Sequence, residues 1–348
     1  MDTEWAAGTF PMPKKTGDIR TTMDFRELNK WLVCKPYPLP KIQDLLQKLE
    51  KFKYATALDL QRGYYSIPLS PRARKLCATV FPWGKYIYNV LPMGLSVSPD
   101  IFQWVMNSCL GDLEYVIVYL DNILILSSHD DTFQDHLHKI DTVLKRLEDY
   151  NFKVNLYKSV FMTNELDYLG YTLTPNGIKP QAKKVEAISH ILPPKNTRQL
   201  RHFLGMVNYY RDMFRCRSHV LAPLTAIASS KKKFKWTNTE QKAFEEAKRM
   251  VAREALLAYP DFNKEFHVYS DASDYQLGGI IMQDEKPLAF YTRKLNKAQA
   301  KYSTGEQELL GIIETLKEFE NVLYGQCIIV YMDHLNLLYS KLATNCLV

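Results

Sequence analysis

Two apolar runs that each stop at an acid limit what this chain can become. Tyr115 to Leu120 leads into Asp121-Asn122, and a second run, Ile123 to Leu126, leads out. That pattern predicts a buried β-hairpin with Asp121 and Asn122 as its two-residue tip. Asx residues suit tight turns, so the bend alone accounts for them taken singly. A second acid, Asp59, ends a similar run, Tyr54-Ala55-Thr56-Ala57-Leu58-Asp59. A carboxylate at the end of a buried strand is costly unless a cation meets it. Two such strand ends together point to a divalent metal.

With 348 residues, 46% of them apolar, the chain can bury large cores, and two or three domains are expected. No apolar run reaches membrane-spanning length, and Met1-Asp2-Thr3-Glu4 does not begin a secretory signal, so a soluble protein with no membrane partner is expected. The cysteines (Cys34, Cys77, Cys109, Cys216, Cys327 and Cys346) include no C-x-x-C pair. That argues against a zinc site or a disulfide framework and suits a reducing compartment. A net charge of +7 is compatible with a polyanionic partner.

Along the chain, Lys14, Lys15 and Arg20 form a basic stretch suited to holding phosphates from a projecting hairpin. Pro36, Pro38 and Pro40 precede a helix whose face carries Ile42, Leu45, Leu46 and Leu49, and this helix leads into the Asp59 strand. Gly63 beside Tyr64 and Tyr65 permits close approach of backbone and ring to a ligand, although tyrosines so placed also serve as core. His136 and His138 stand two apart and so point to different sides of a helix, which disfavours a shared metal. Leu144, Leu147 and Tyr150 continue that helix. Leu200, Phe203, Leu204, Val207 and Tyr210 form another helical stripe edged by Arg198, Arg201 and Arg211. Lys231-Lys232-Lys233 with Lys235 reads as a solvated linker. Phe266 to Asp271 is a strand ending in an acid, and a helix from about Thr304 is expected to turn Leu309, Ile312, Ile313, Leu316 and Phe319 inward. Ile328 to Tyr331 is a further strand, ending at Met332-Asp333-His334.

The order of Asp24-Phe25-Arg26-Glu27-Leu28-Asn29, Ala57-Leu58-Asp59-Leu60, Leu91-Pro92-Met93-Gly94 and Tyr119-Leu120-Asp121 resembles the reverse transcriptase of gypsy-class long-terminal-repeat retrotransposons. The likeness continues through Tyr168-Leu169-Gly170-Tyr171, Phe203-Leu204-Gly205 with Tyr209-Tyr210-Arg211, and Ser270-Asp271-Ala272-Ser273. Each motif alone is weak; their colinear order over nearly the whole chain is specific.

The resemblance implies an α+β fold: a right-hand polymerase of fingers, palm and thumb, followed by a ribonuclease H-like α/β module. Fingers and palm would occupy residues 1–175, thumb and connection 176–260, and the ribonuclease H-like module 261–348. It implies an RNA-directed DNA polymerase acting on an RNA or DNA template-primer duplex with deoxynucleoside triphosphates, in an intracellular, cytoplasmic or nuclear, setting. Asp59 and Asp121 match the carboxylates that hold two Mg2+ ions, with Mn2+ as a substitute. Lys14 or Lys15, together with Arg20, matches fingers residues that clamp the triphosphate. Tyr64 matches the gate against a ribose 2′-hydroxyl, Met93 and Gly94 line the nucleotide pocket, and Tyr168, Leu169, Gly170 and Tyr171 match the primer grip. Lys158 falls in a stretch that the family places behind the active site.

In the second module, Asp271, Glu308 and Asp333 match three metal-binding carboxylates that hydrolyse the RNA strand of a hybrid. Glu306 competes for the helical role, but Glu308 is followed by Leu309-Leu310 in the family's register. Only 15 residues follow Asp333, so this module is expected to be truncated at its C-terminus.

The chain departs from the family at Asn122, where a second aspartate belongs. Asparagine keeps the shape and loses the charge, so polymerisation is expected to be weakened or abolished. A functional alternative from a different class follows: a nucleic-acid-binding fragment that keeps the fold and the basic channel without the metals.

Overall fold

The computed structural model describes residues 3–13, 17, 19–33, 36–229, 234–253 and 256–332. The chain falls into two compact units, one made of Met1–Lys41 and Phe52–Leu166, the other of Ile42–Lys51 and Asp167 onward. Among the described residues no helix is long and apolar enough to cross a membrane.

The first unit begins with β1 (Ala7–Pro13), β2 (Ile19–Met23) and α1 (Arg26–Trp31). The chain lends α2 (Ile42–Gln47) to the second unit and returns as β3 (Tyr54–Asp59), α3 (Pro71–Leu76), β4 (Ala78–Phe81) and β5 (Gly84–Ile87). Then come α4 (Ser98–Leu110), β6 (Val116–Tyr119), β7 (Asn122–Ser127), α5 (Phe133–Asp149) and β8 (Val160–Thr163). One sheet has the order β2-β1-β4-β5, and a second, antiparallel throughout, has the order β6-β7-β3-β8.

The second sheet forms because its strands are runs of β-branched and other apolar residues too short for helices. Its inner face packs Leu58, Ile123 and Ile125 against Phe102 and Met106 of α4 and Ile140, Val143 and Leu147 of α5. A proline in the first turn starts α4. A capping box starts α5, with the Thr132 hydroxyl accepting from the Asp135 N–H and the Asp135 carboxylate accepting from the Thr132 N–H. Of the apolar residues expected to continue that helix, Leu147 is buried, whereas Leu144 and Tyr150 are exposed.

His136 is buried, and His138, two residues on, is exposed. The His136 ring bonds Thr56 Oγ1 of β3 at 2.9 Å and Ser127 Oγ of β7 at 2.8 Å. It therefore joins α5 to both central strands, and burial holds its pKa below the usual histidine value.

The second unit adds β9 (Leu166–Tyr168), β10 (Tyr171–Thr174) and β11 (Gly177–Pro180), which form a three-stranded sheet. Helices α6 (Ala182–Ser189), α7 (Thr197–Tyr209), α8 (Arg217–Ser229) and α9 (Asn238–Ala252) follow. Leu200, Phe203, Leu204, Val207 and Tyr210 are all buried, so the stripe read in α7 is a packing face. The unit ends in β12 (Phe266–Ala272), β13 (Gln276–Gln283), β14 (Lys286–Lys294), α10 (Thr304–Glu318), α11 (Glu320–Leu323) and β15 (Ile328–Tyr331). These strands form a sheet ordered β14-β13-β12-β15, in which β12 and β15 run parallel and the other pairs antiparallel.

The inner side of α10 buries Ile312 and Phe319 as expected and departs from expectation at Ile313. Glu308, Gly311, Ile312 and Thr315 are buried, and Ile313 is exposed. The reason is close approach: a Cβ on Gly279 of β13 would stand 2.3 Å from Thr315 Oγ1, and one on Gly311 would stand 2.7 Å from Ser270 Oγ. The helix lies on the sheet through its small residues, which rotates Ile313 outward.

Candidate active sites

In the first unit, β3 and β7 pair so that Asp59 stands opposite Asn122. Tyr119 of β6 pairs with Asn122 of β7, so the hairpin tip is Leu120-Asp121 and Asn122 is the first residue of the strand. This corrects the expected tip of Asp121-Asn122 by one residue. The cause is Leu120, whose backbone takes the left-handed conformation, φ 51°, at a cost of about 1 kcal/mol or more for a non-glycine residue. Gln103 of α4 holds it there. The Leu120 N–H donates to Gln103 Oε1 at 2.8 Å, and Gln103 Nε2 donates to the Val118 carbonyl at 3.1 Å and to Asn107 Oδ1 at 2.9 Å. Asn107 in turn donates to the Tyr37 hydroxyl at 2.9 Å. Sequence reasoning missed Gln103 because its role depends on a partner 17 residues away.

The tip is fastened to the end of β3 as well. The Leu60 N–H donates to the Asp121 carbonyl at 3.2 Å, and Asn122 Nδ2 donates to Asp121 Oδ1 at 3.2 Å. On the other side of Asp59, its N–H donates to Ser159 Oγ at 3.1 Å, and Lys158 Nζ lies 3.5 Å from its carboxylate. Lys158 is largely exposed, so that attraction is screened.

Tyr64 stacks on Phe102 with ring centroids 4.7 Å apart, and a Cβ on Gly63 would meet the same Phe102 ring at 2.7 Å. Burial, and secondarily the negative charge of Asp121, push the Tyr64 hydroxyl pKa above its ordinary value. The Tyr64 ring thus belongs to the surroundings of the Asp121 carboxylate. Met93 is exposed, and Asn29 of α1 ties down its neighbour Gly94: Asn29 Nδ2 donates to the Gly94 carbonyl at 3.0 Å and Asn29 Oδ1 accepts from the Ser96 N–H at 2.9 Å. Arg20 lies in β2 opposite Met12 of β1, and Lys14 and Lys15 lie outside the described residues.

The donors gathered at the two strand ends are all oxygen: the Asp59 and Asp121 carboxylates and the Asn122 amide. Such a set fits a hard divalent cation such as Mg2+. Among the described residues, no group of three or more histidine, cysteine, aspartate or glutamate side chains is placed to hold a metal.

Residues 168–171 of the second unit form a tight hairpin turn between β9 and β10, with Leu169 and Gly170 both at positive φ. Its carbonyls are held by the end of α7: the Tyr209 hydroxyl donates to the Leu169 carbonyl at 2.5 Å and the Tyr210 hydroxyl to the Gly170 carbonyl at 2.8 Å. Tyr171 donates back to the Tyr209 carbonyl at 2.9 Å. The paired tyrosines of the Tyr209-Tyr210-Arg211 motif therefore serve this turn.

Asp271 lies near the end of β12, opposite Gly278 of β13. The next N–H along β12, that of Ala272, donates to Glu308 Oε1 at 3.1 Å, so the buried Glu308 reaches the strand end that bears Asp271. Glu306 is occupied elsewhere, accepting from the Ser303 N–H at 2.8 Å and the Ser303 hydroxyl at 2.9 Å as the cap of α10. Asp333 lies outside the described residues.

Comparison with known proteins matches both regions. Residues 12–173 match the family described as reverse transcriptase (RNA-dependent DNA polymerase), and residues 236–330 match the RNase H-like domain found in reverse transcriptase. The chain is 34% identical over 334 residues to the retrovirus-related Pol polyprotein from transposon 297 of Drosophila melanogaster, covering 94% of this chain and 31% of that protein. It is 33% identical over 336 residues to the transposon Tf2-7 polyprotein of Schizosaccharomyces pombe, covering 94% and 25%. The chain thus spans less than a third of the length of either relative. Among solved structures, the foamy viral protease-reverse transcriptase in complex with dsDNA superposes with a TM-score of 0.90 at 23% identity, over 99% of this chain and 72% of that one. The same protein in complex with RNA/DNA hybrid gives a TM-score of 0.85 at 22% identity, over 99% and 47%. The fold is the α+β architecture expected from the motif order.

Proposed function

Because the chain carries a reverse transcriptase domain followed by an RNase H-like domain, homologous to the retrovirus-related Pol polyproteins of transposons, we propose that it is an RNA-directed DNA polymerase of a gypsy-class retrotransposon. Its substrates are a template-primer duplex and deoxynucleoside triphosphates. The observation that supports the reading most is the register of β3 on β7, in which Asp59 stands opposite Asn122, the residue after the tip residue Asp121. We assign fingers and palm to residues 1–175, thumb and connection to 176–260, and the RNase H-like module to the remainder.

Asp59 and Asp121 would hold Mg2+, which when bound lowers the pKa of the attacking hydroxyl and neutralises charge on the transferred phosphoryl group. The protein's own part is positioning. Gln103 and the Leu60 N–H fix the tip that bears Asp121, and Ser159 and Lys158 fix the end of β3. The Tyr64 ring, backed by Phe102, is the wall against a ribose 2′-hydroxyl. The turn at 168–171, held by two tyrosine hydroxyls, is the rest for the primer strand. Asp271 and Glu308, with Asp333, are assigned to hydrolysis of the RNA strand of a hybrid.

Primer extension on an RNA template with Mg2+ or Mn2+ tests the reading. Extension is expected, and Asp59→Ala should abolish it. Extension undiminished in Asp59→Ala would overturn the assignment. The amide at position 122 favours a second reading, a duplex-binding protein without turnover, which predicts salt-sensitive binding and no extension with either metal.

A further inference from the structure

The strand end that bears Asp271 opens onto a cleft of about 150 Å3, and one wall of that cleft comes from outside the RNase H-like sheet. The wall is Arg215 and Cys216, in the loop between the 3-10 turn Arg211–Met213 and α8. The facing wall includes Tyr269, Asp271, Ser273 and Gln276.

Three arginines stand in and beside this short loop, Arg215 within it and Arg211 and Arg217 in the flanking turn and helix, and the structure treats them differently. Arg211 donates to Glu318 at 2.6 Å, and Arg217 bonds Asn208. Arg215 is exposed and has no hydrogen-bond or ion-pair partner among the described residues. The loop that presents it is built rather than slack. Phe214 is buried, and Cys216 is held at φ 56°, a left-handed conformation that a non-glycine residue adopts at a cost. An anchor on one side and a fixed kink on the other set where Arg215 projects.

The cleft therefore carries a free guanidinium and an acid, Asp271, that also lacks a partner among the described residues; the two do not pair with each other. Gln276, which also lines the cleft, has its Oε1 buried without a hydrogen bond. A site that holds opposite charges apart is matched by a ligand with anionic oxygens at one end and a reacting centre at the other. A phosphodiester meets that description, and guanidinium is well suited to holding it.

We propose that Arg215 binds a backbone phosphate of the nucleic-acid strand that enters the Asp271–Glu308 site. The inference rests on the reading of the RNase H-like domain given above. It makes the Phe214–Cys216 loop part of the hydrolytic site, although sequence order places it in the helical region. Arg215 is a binding residue for substrate, and Cys216 is a neighbour that reports on it.

Cys216 supplies the test. Of the described cysteines, Cys77 and Cys109 are buried and Cys216 and Cys327 exposed. In the full chain with Cys34, Cys327 and Cys346 changed to serine, Cys216 is the accessible thiol. An RNA/DNA hybrid carrying a short disulfide tether on a backbone phosphate should cross-link to this protein. The cross-link should vanish with Cys216→Ser and be competed away by unmodified hybrid.

In parallel, the salt dependence of binding to an unmodified hybrid is measured by fluorescence anisotropy for the unaltered protein, Arg215→Gln and Arg215→Lys. Loss of one phosphate contact lowers the slope of log K against log salt by about 0.9 if the hybrid behaves like B-DNA. Arg215→Gln should show that drop with roughly tenfold weaker binding at low salt, as for one charged hydrogen bond. Arg215→Lys should keep the slope. Hybrid binding with an unchanged slope in Arg215→Gln, or no Cys216-dependent cross-link, overturns the inference and leaves the function above standing. No binding of hybrid by the unaltered protein overturns both.

Discussion

Asn122→Asp is the substitution that most directly probes the chemistry assigned to the strand ends. The amide nitrogen of Asn122 now donates to Asp121 Oδ1 at 3.2 Å, and its backbone stands opposite Asp59. A carboxylate there would replace an attractive contact with a repulsive one. Two like charges about 4 Å apart cost roughly 4 kcal/mol at an effective dielectric near 20 and about 1 kcal/mol in water. The Asp59 side chain is 25% exposed, so solvent weakens the repulsion, and a loss of about 1–2 kcal/mol is expected without metal. A divalent cation reverses the sign, because the same charge then adds to its ligand field. The rate gain has a ceiling near 4 kcal/mol, or about a thousandfold. Thermal unfolding in EDTA and in Mg2+, with primer extension on the same samples, reads both effects. The variant should unfold at a lower temperature than the parent in EDTA, lose that deficit in Mg2+, and extend a primer at least about tenfold faster. An identical deficit with and without Mg2+, together with unchanged extension, would refute a shared cation site at Asp59 and Asp121.

Further expectations follow from other contacts. His136→Ala removes a buried ring, leaves the Ser127 hydroxyl without its partner and takes one of two bonds from Thr56 Oγ1, so a loss of about 3 kcal/mol in chemical denaturation is expected. With the folded-state pKa of His136 depressed, its stabilising contribution is present above the unfolded histidine pKa and lost as pH falls. The parent should therefore lose stability on acidification, and His136→Asn should lose less of it. Burial pushes Asp212 up to about 6. The folded state thus holds its proton where the unfolded chain has released it, and stability should fall as pH rises through 4 to 6, by about 3 kcal/mol at most. Asp212→Asn should flatten that part of the curve, and an unchanged curve would exclude the assignment. Gln103→Leu unclamps the tip at Leu120 and should reduce kcat for extension about tenfold or more while the KM for nucleotide changes little.

The strand ends at Asp59 and Asp121 were legible because a run of β-branched and apolar residues stopping at an acid fits little besides a buried strand that ends at a polar site. The α7 stripe was legible for a similar reason, since its period is local. What was hidden depends on partners distant in sequence. The tip sits one residue earlier than expected because Gln103 stabilises a strained Leu120, which no window around the tip contains. Ile313 fits an apolar helical face by spacing, yet faces outward because glycines at 279 and 311 set the approach of α10 to the sheet. Tyr209 and Tyr210 read as motif letters, but their work is to cap the carbonyls of a turn 40 residues earlier. Arg215 carries no local signal at all among so many surface cations.

The assignment of α2 to the second unit has a consequence for how the chain is made. This short helix is flanked on both sides by segments of the first unit, yet it packs near Phe319 and Val322, at the junction of α10 and α11. Those residues are translated about 270 positions later. At ribosomal speeds of about 5–20 residues per second, Leu46 waits on the order of 15 to 50 s for this last part of its surroundings. Until then the apolar face of α2 is only partly covered. That interval is when a chaperone, or a neighbouring nascent chain, has its best access to the molecule.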